Sequence, residues 1–455
     1  MKRILTFAVG ACAAAELSAA VPEVEVTEVG QDARRVVTVG YTLSAPAVVT
    51  VDFLTNGVSL LTEDAKVQGD VGWVTPAGSK TVTWRPRKEL PSGLELKDVT
   101  VRVEAYSSAR QPDYLVLDLA NGVRRYYATS NDVPGGVLGN PDYREKYVLM
   151  RRIPVAWKEQ AIGRPNSSWS VSSKERRAHH VVMLTNDFYM AVFPMTRGQL
   201  ARAYGWTDPK QDVYRSRDEE NWRLRPATGM SYDDLRGSEA DGIDWPNTGD
   251  AVAEGSILDR FRDQTGVLLD LPTDAQYEIA TRAGDAGDTY TGYFALRVPA
   301  GKAASDVTDY VTAVKKMGWY KDNWDEDTVT VSNPTGANFT HIVGLKAPNA
   351  YGLYDTCGNV RQLCRDWFMT APGTAKDGYV PDYYEPRGPT KESADIIGFS
   401  PTVQVPGRAS HSCSYSESAD LMMTSARNPQ QPGGRAETLG FRLVCPALHG
   451  GAILK

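Results

Sequence analysis

Histidine and cysteine are scarce, five of each in 455 residues. The histidines are His179, His180, His341, His411 and His449. None forms a His-x-x-x-His pair, and adjacent His179-His180 are awkward as ligands of one metal, so a histidine-held metal centre is not expected. No Gly-x-Ser-x-Gly elbow and no Gly-x-x-x-x-Gly-Lys loop is present, which argues against a hydrolase nucleophile and a phosphate-cradling loop. His411 lies between Ser410 and Ser412, but adjacency in sequence is not triad geometry, and the stretch reads as a polar loop. Clustered basic residues are also missing. The pairs Arg34-Arg35, Arg124-Arg125 and Arg151-Arg152 are isolated, and 56 acidic against 50 basic residues leave a net charge of −6. A nucleic-acid binder needs a basic footprint, so no nucleic-acid partner is expected. Beyond the N-terminus there is no long apolar run, so no transmembrane segment is expected.

The N-terminus reads as an export signal over residues 1–20. Lys2 and Arg3 form a positive start, Ile4 to Ala15 is a short apolar stretch, and Ser18-Ala19-Ala20 offers a cleavage site. Val9-Gly10-Ala11-Cys12 is a loose lipobox, so a lipid anchor at Cys12 is the alternative. The expected location is periplasmic, cell-surface or secreted. Cleavage after Ala20 leaves Cys357, Cys364, Cys413 and Cys445, an even set that permits disulfides in three pairings without demanding them.

Hydrophobic residues make up 42% of the chain, enough for a substantial core. From 21 to 109 the apolar residues alternate, as in Arg35-Val36-Val37-Thr38-Val39-Gly40-Tyr41 and Ala47-Val48-Val49-Thr50-Val51-Asp52-Phe53. Period two between Gly, Pro, Asn and Ser clusters marks half-buried antiparallel strands, and their spacing suggests an immunoglobulin-like β-sandwich. Residues 110–150 read as connector strands, Tyr114 to Leu119 and Tyr147 to Met150, around Pro134-Gly135-Gly136. Residues 151–446 have few amphipathic stretches and form a loop-rich α+β domain, with 447–455 as a tail. Helices are expected from Thr196 to Tyr204, from Asp250 to Gln264 (ended by Gly266), and from Thr273 to Ala283 with Gln276 completing a capping box. So little regular structure must be held by ions, disulfides or dense aromatic packing.

Five phrases in this region, in order, carry a resemblance. They are Phe188-Tyr189-Met190 with Pro194-Met195-Thr196, Pro226 to Asp234, Leu271-Pro272-Thr273-Asp274-Ala275-Gln276-Tyr277-Glu278, Pro348-Asn349-Ala350-Tyr351-Gly352-Leu353-Tyr354-Asp355 with Gly358-Asn359-Val360, and Leu439-Gly440-Phe441-Arg442-Leu443-Val444. Together they resemble the formylglycine-generating enzyme (sulfatase-modifying factor) family, which implies a C-type-lectin-like fold. Active members carry two cysteines, five residues apart, that bind copper(I) and oxidise a substrate cysteine with oxygen. Counting back from Ala426-Arg427 and Gly440-Phe441-Arg442, those positions fall on Ser414 and Ala419. Cys413 is the one candidate catalytic thiol, displaced by a residue. A lone thiolate is a poor copper(I) chelator, so copper is not expected. The family's calcium segment reads Gly358-Asn359-Val360-Arg361-Gln362, which implies a calcium site at Asn359, Val360 and Gln362, with an amide where the family has a carboxylate and Asp366 nearby.

An intact fold pattern without the catalytic pair implies a binding or surface-interaction module for a protein or glycan. Ser410, His411, Ser412, Ser414, Tyr415, Ser416 and Arg427 are its candidate binding residues, since serine and tyrosine suit adaptable recognition loops. By place this segment also resembles the variable region of retroelement-diversified lectin-like proteins. The enzymatic alternative is a divergent oxidase using Cys413, for which a low-pKa thiolate is expected.

Overall fold

A computed structural model describes residues 21–56, 58–61, 67–72, 74–86, 99–163, 179–207, 221–287, 289–290, 308–323, 339–369, 382–400 and 402–448. The export signal, Cys12 and most of the 447–455 tail lie outside them. The chain divides into two units, Met1–Gln111 and Pro112–Lys455.

In the first unit the alternating stretches are strands β1 (Val24–Gln31), β2 (Val37–Leu43), β3 (Ala47–Thr55), β4 (Gly78–Trp84) and β5 (Thr100–Tyr106). β2 lies between β1 and β4 in one antiparallel sheet, while β3 pairs with β5 in another. Strict alternation puts Val37, Val39, Tyr41 and Leu43 on the buried face of β2. They share one core with Val49, Val51 and Phe53 of β3 and Trp84 of β4, where the Phe53 and Trp84 rings stack at 4.3 Å. β1 is mostly solvent-facing, as befits an edge strand.

The second unit begins earlier than the sequence suggests. Its five-stranded sheet contains β6 (Tyr114–Leu117), β7 (Arg124–Tyr127), β8 (Val148–Ile153), β9 (Phe188–Ala191) and β14 (Val444–Pro446), in the order β7-β6-β8-β9-β14. The supposed connector therefore supplies three of the strands. The reason is burial on both faces: β6 is buried at every position, as are Val148, Leu149 and Met150. A second sheet has the order β12-β11-β10-β13, from β10 (Arg361–Trp367), β11 (Arg408–His411), β12 (Arg427–Gln430) and β13 (Leu439–Gly440).

Helix α1 (Arg197–Tyr204) starts on the Thr196 cap and stops at Gly205, in the left-handed region at φ 70°. Helix α2 spans Tyr232–Arg236 on a Ser231 cap. Helix α3 (Ile257–Thr265) starts seven residues later than expected, because Gly255 takes φ 79° and Ser256 provides the cap. Helix α4 (Asp274–Arg282) carries the Thr273–Gln276 capping box. Helix α5 (Thr308–Met317) was not anticipated.

The four described cysteines are free and buried, so no disulfide staples this unit. Buried arginines tie the loops instead. Arg236 Nε bonds Asp270 at 2.9 Å and Arg262 reaches the same carboxylate at 2.9 Å. Arg442 donates to Gln362 Oε1 and to the carbonyls of Ala191, Val192 and Tyr354.

Candidate functional site

Strand β11 runs between β10 and β12 and sets the serine-rich segment deep in the fold, with His411 opposite Gln362 on one side and Arg427 on the other. Sequence alone suggested an accessible recognition loop, and burial corrects this. Ser410, His411, Ser412, Ser414, Tyr415 and Arg427 are all buried, and Ser416 alone of the candidate binding residues is exposed. The segment is hydrophilic because its polar groups are consumed internally. Ser410 Oγ donates to the Asn428 carbonyl, Ser412 Oγ accepts from Gly358 N, and both the amide and hydroxyl of Ser414 donate to Glu417 Oε2 at 2.8 and 2.9 Å. Arg361 in turn grips Glu417 through Nε at 2.8 Å.

Cys413 lies two residues past β11, inside a core cluster with Tyr310, Met317, Met422 and Ala426. Its Sγ donates to the Ser414 carbonyl at 3.3 Å. Burial pushes its thiol well above the ordinary value, and Glu417 and Cys357 push it the same way. This is the opposite of the low-pKa thiolate expected of a divergent oxidase. Cys357, which sequence reasoning did not connect with Cys413, belongs to the same cluster, and burial raises its thiol to about 12. The link is invisible in sequence because it is made by the Gly358–Ser412 hydrogen bond between distant segments.

Two residues before Cys413, His411 belongs to a buried polar network that sequence reasoning did not assemble. Asp274, first residue of α4, binds His411 Nε2 and accepts from Arg427 Nε at 3.0 Å. His411 stacks on Tyr277 at 4.8 Å. Asp366 accepts the Asp274 backbone N–H and, at 3.2 Å, Trp245 Nε1. Burial raises the Asp366 carboxyl, and Asp274 beside it adds to the rise. The network locks the start of α4 onto the second sheet. It supplies no base to Cys413, whose hydrogen bond goes to its own chain neighbour.

The side chains of Asn359 and Gln362, two of the expected calcium ligands, are hydrogen-bonded within the protein. Gln362 Oε1 accepts from Arg442 Nε at 2.9 Å, and its amide donates to the Asp355 carbonyl. Asn359 Oδ1 accepts from His341 N, and the Asn359 carbonyl accepts from Tyr415 N. The fully buried Arg442 guanidinium takes one of these oxygens, Gln362 Oε1, and three carbonyls outside the expected site. No group of three or more His, Cys, Asp or Glu side chains suited to a metal occurs among the described residues. A calcium ion needs six to eight oxygens, and Gln362 Oε1, Asn359 Oδ1 and the Asn359 carbonyl each already accept a hydrogen bond.

Residues 159–447 match the family model described as sulfatase-modifying factor enzyme 1-like domain. The chain is 26% identical over 233 residues to the formylglycine-generating enzyme of Thermomonospora curvata, covering 50% of this chain and 62% of that protein. It is 26% identical over 179 residues to the enzyme of the same name from Streptomyces coelicolor, covering 38% of this chain and 45% of that one. A serine/threonine-protein kinase, pkn1 of Chlamydia pneumoniae, is 31% identical over 173 residues, covering 38% of this chain and 20% of its own length. The chain thus spans less than two thirds of each of these relatives. Among solved structures, PvdO from Pseudomonas aeruginosa aligns at 19% identity and TM-score 0.40, covering 66% of this chain and 94% of PvdO. Treponema denticola variable protein 1 aligns at 21% and 0.40, covering 66% and 95%.

Proposed function

The chain belongs to the sulfatase-modifying factor family, and from that premise we propose that it is an exported binding protein rather than an oxidase. The family fold serves as a rigid scaffold for recognising a protein or glycan at the cell surface, in the periplasm or outside the cell. The first unit, read as an immunoglobulin-like sandwich, acts as spacer. The observation that carries the proposal is the state of Cys413: it is a buried thiol bonded to its own neighbour, beside Ser414 and Ala419 where active members have cysteines. A reaction that needs a thiolate pair open to oxygen and peptide has no support in that arrangement. Within the segment Ser410 to Ser418, Ser410 to Tyr415 are buried while Ser416 is exposed and Glu417 and Ser418 are half-buried, so a retroelement-diversified version of the binding reading would have to vary the Ser416 end. Cys357 favours one other reading, in which it and Cys413 form the thiol pair of a divergent oxidase.

Turnover of a Cys-x-Pro-x-Arg peptide with oxygen, reductant and copper separates the two. Mass spectrometry should find no conversion of thiol to aldehyde while an active family member converts the peptide under the same conditions. Conversion that disappears in Cys413→Ala and in Cys357→Ala would establish the oxidase instead.

A further inference from the structure

Arg408 opens β11, at the end away from Cys413, and makes no direct ion pair among the described residues. The guanidinium carbon lies 4.1 Å from the Tyr232 ring centroid and 3.3 Å from that of Trp367. The residue is 2% exposed. Nη1 donates to the carbonyls of Arg365 at 3.0 Å and Trp245 at 3.4 Å. Nε is buried with no partner, and no carboxylate pairs with Arg408 among the described residues. A buried cation with no carboxylate in direct contact is costly: desolvation lowers its pKa, and the attraction of Tyr232, Asp366 and Asp244 only partly offsets this. Trp367 Nε1 is a second buried donor with no partner.

Both residues line a cavity of about 550 Å³, within the range of small-molecule sites. Asp233 lines it too. Its carboxylate makes no hydrogen bond or ion pair with the described residues, and burial raises its pKa. Lys391 and Glu239 at the edge pair with each other. Val405, Pro406 and Pro432 complete an apolar wall. The cavity therefore holds a cation, Arg408, and an anion, Asp233, that attract each other but form no direct ion pair, so each can still take a ligand group of opposite character. A dianion such as phosphate would be repelled by Asp233, and a neutral molecule would offer Arg408 no charge of its own.

We propose that this cavity binds a small monocarboxylate with a hydrogen-bond donor next to its carboxylate, the carboxylate meeting Arg408 and the donor meeting Asp233. Acidic sugars, with hydroxyl donors, and amino acids, with an ammonium, share that chemistry. This goes beyond the binding reading above and does not depend on it, since Cys413 does not line the cavity.

Calorimetric titration of the full chain with glucuronate, L-alanine and glucose tests the assignment. Either acid should bind with Kd about 1 mM or tighter, and glucose should not. Binding of glucuronate alone assigns the acidic sugar, and of alanine alone the amino acid. Asp233→Asn should weaken binding about tenfold and Arg408→Lys by more, since hydrogen bonds to charged groups are the strong ones. Arg408 is packed between two rings, so Asp233→Asn decides if the arginine variant fails to fold. No binding of either acid at about 10 mM, equal binding of glucose, or unchanged affinity in Asp233→Asn overturns the proposal.

Discussion

Replacing Arg442 by Met should destabilise the second unit severely. The guanidinium donates at 2.9 Å to Gln362 Oε1, at 2.7 and 2.8 Å to the carbonyls of Ala191 and Val192, and at 2.5 Å to the Tyr354 carbonyl. Methionine nearly fills the space but donates nothing, so four acceptors lose a buried donor. At about 1 kcal/mol each the loss is about 4 kcal/mol. Relief of the arginine's own burial works against this, and burial does lower its pKa. The four hydrogen bonds outweigh that relief because together they join β9, β10 and the Tyr354 loop. The buried thiols report the outcome. Cys357, Cys364, Cys413 and Cys445 all lie in this unit, and with Cys12 replaced by Ser in both proteins the first unit is silent. Where reclosing is fast, thiol labelling follows the population of opened molecules, so Arg442→Met should label about a thousandfold faster. An increase of less than about fivefold, or about 1 kcal/mol, would mean that the burial cost cancels the hydrogen bonds, and the reasoning would fail.

Asp355 gives a pH test. Burial raises its carboxyl to about 6, against the pull of Arg442 and the Gly344 N–H. Between about pH 4 and pH 6 the folded chain holds this proton more tightly than the unfolded chain, so the contribution is fully present below about pH 4 and lost as pH rises to about 6. The full difference is about 3 kcal/mol. Asp355→Asn should flatten that part of the urea-unfolding profile and be the more stable protein at pH 7; parallel profiles for parent and variant would refute this. For calcium, thiol labelling should proceed at the same rate in excess calcium and in excess chelator, because Arg442 already holds Gln362 Oε1 and His341 N already holds Asn359 Oδ1. Calcium-dependent protection would show that Gln362 turns to a metal.

The parts legible in the sequence were those fixed by neighbours along the chain. Thr196 and Thr273 read as helix starts because a capping hydroxyl meets an amide three residues on, and both are caps. Alternation in Val37 to Leu43 read as a strand because side chains on a strand change face at each residue. Glycine could have corrected α3: Gly255 in the left-handed region ends the loop and Ser256 begins the helix. The stretch from Tyr114 to Met150 read as strands leading into the second unit, but that they join its main sheet depends on which distant strands cover them. The serine-rich segment misled for a related reason. Composition records that Ser410, Ser412 and Ser414 are polar, not whether water or protein satisfies them.

The order of the family phrases, from Phe188 to Val444, pointed to the family of the second unit, and the expectation that the thiolate pair is missing rested on Ser414 and Ala419. Those are statements about which atoms are present. Only the tertiary structure decided that Cys413 is sealed beside Cys357, that Gln362 serves Arg442, and that Arg408 and Asp233 share a cavity. Each of these joins residues tens to hundreds of positions apart, and pKa, pairing and access depend on distance in space and on the exclusion of water, neither of which is written along the chain.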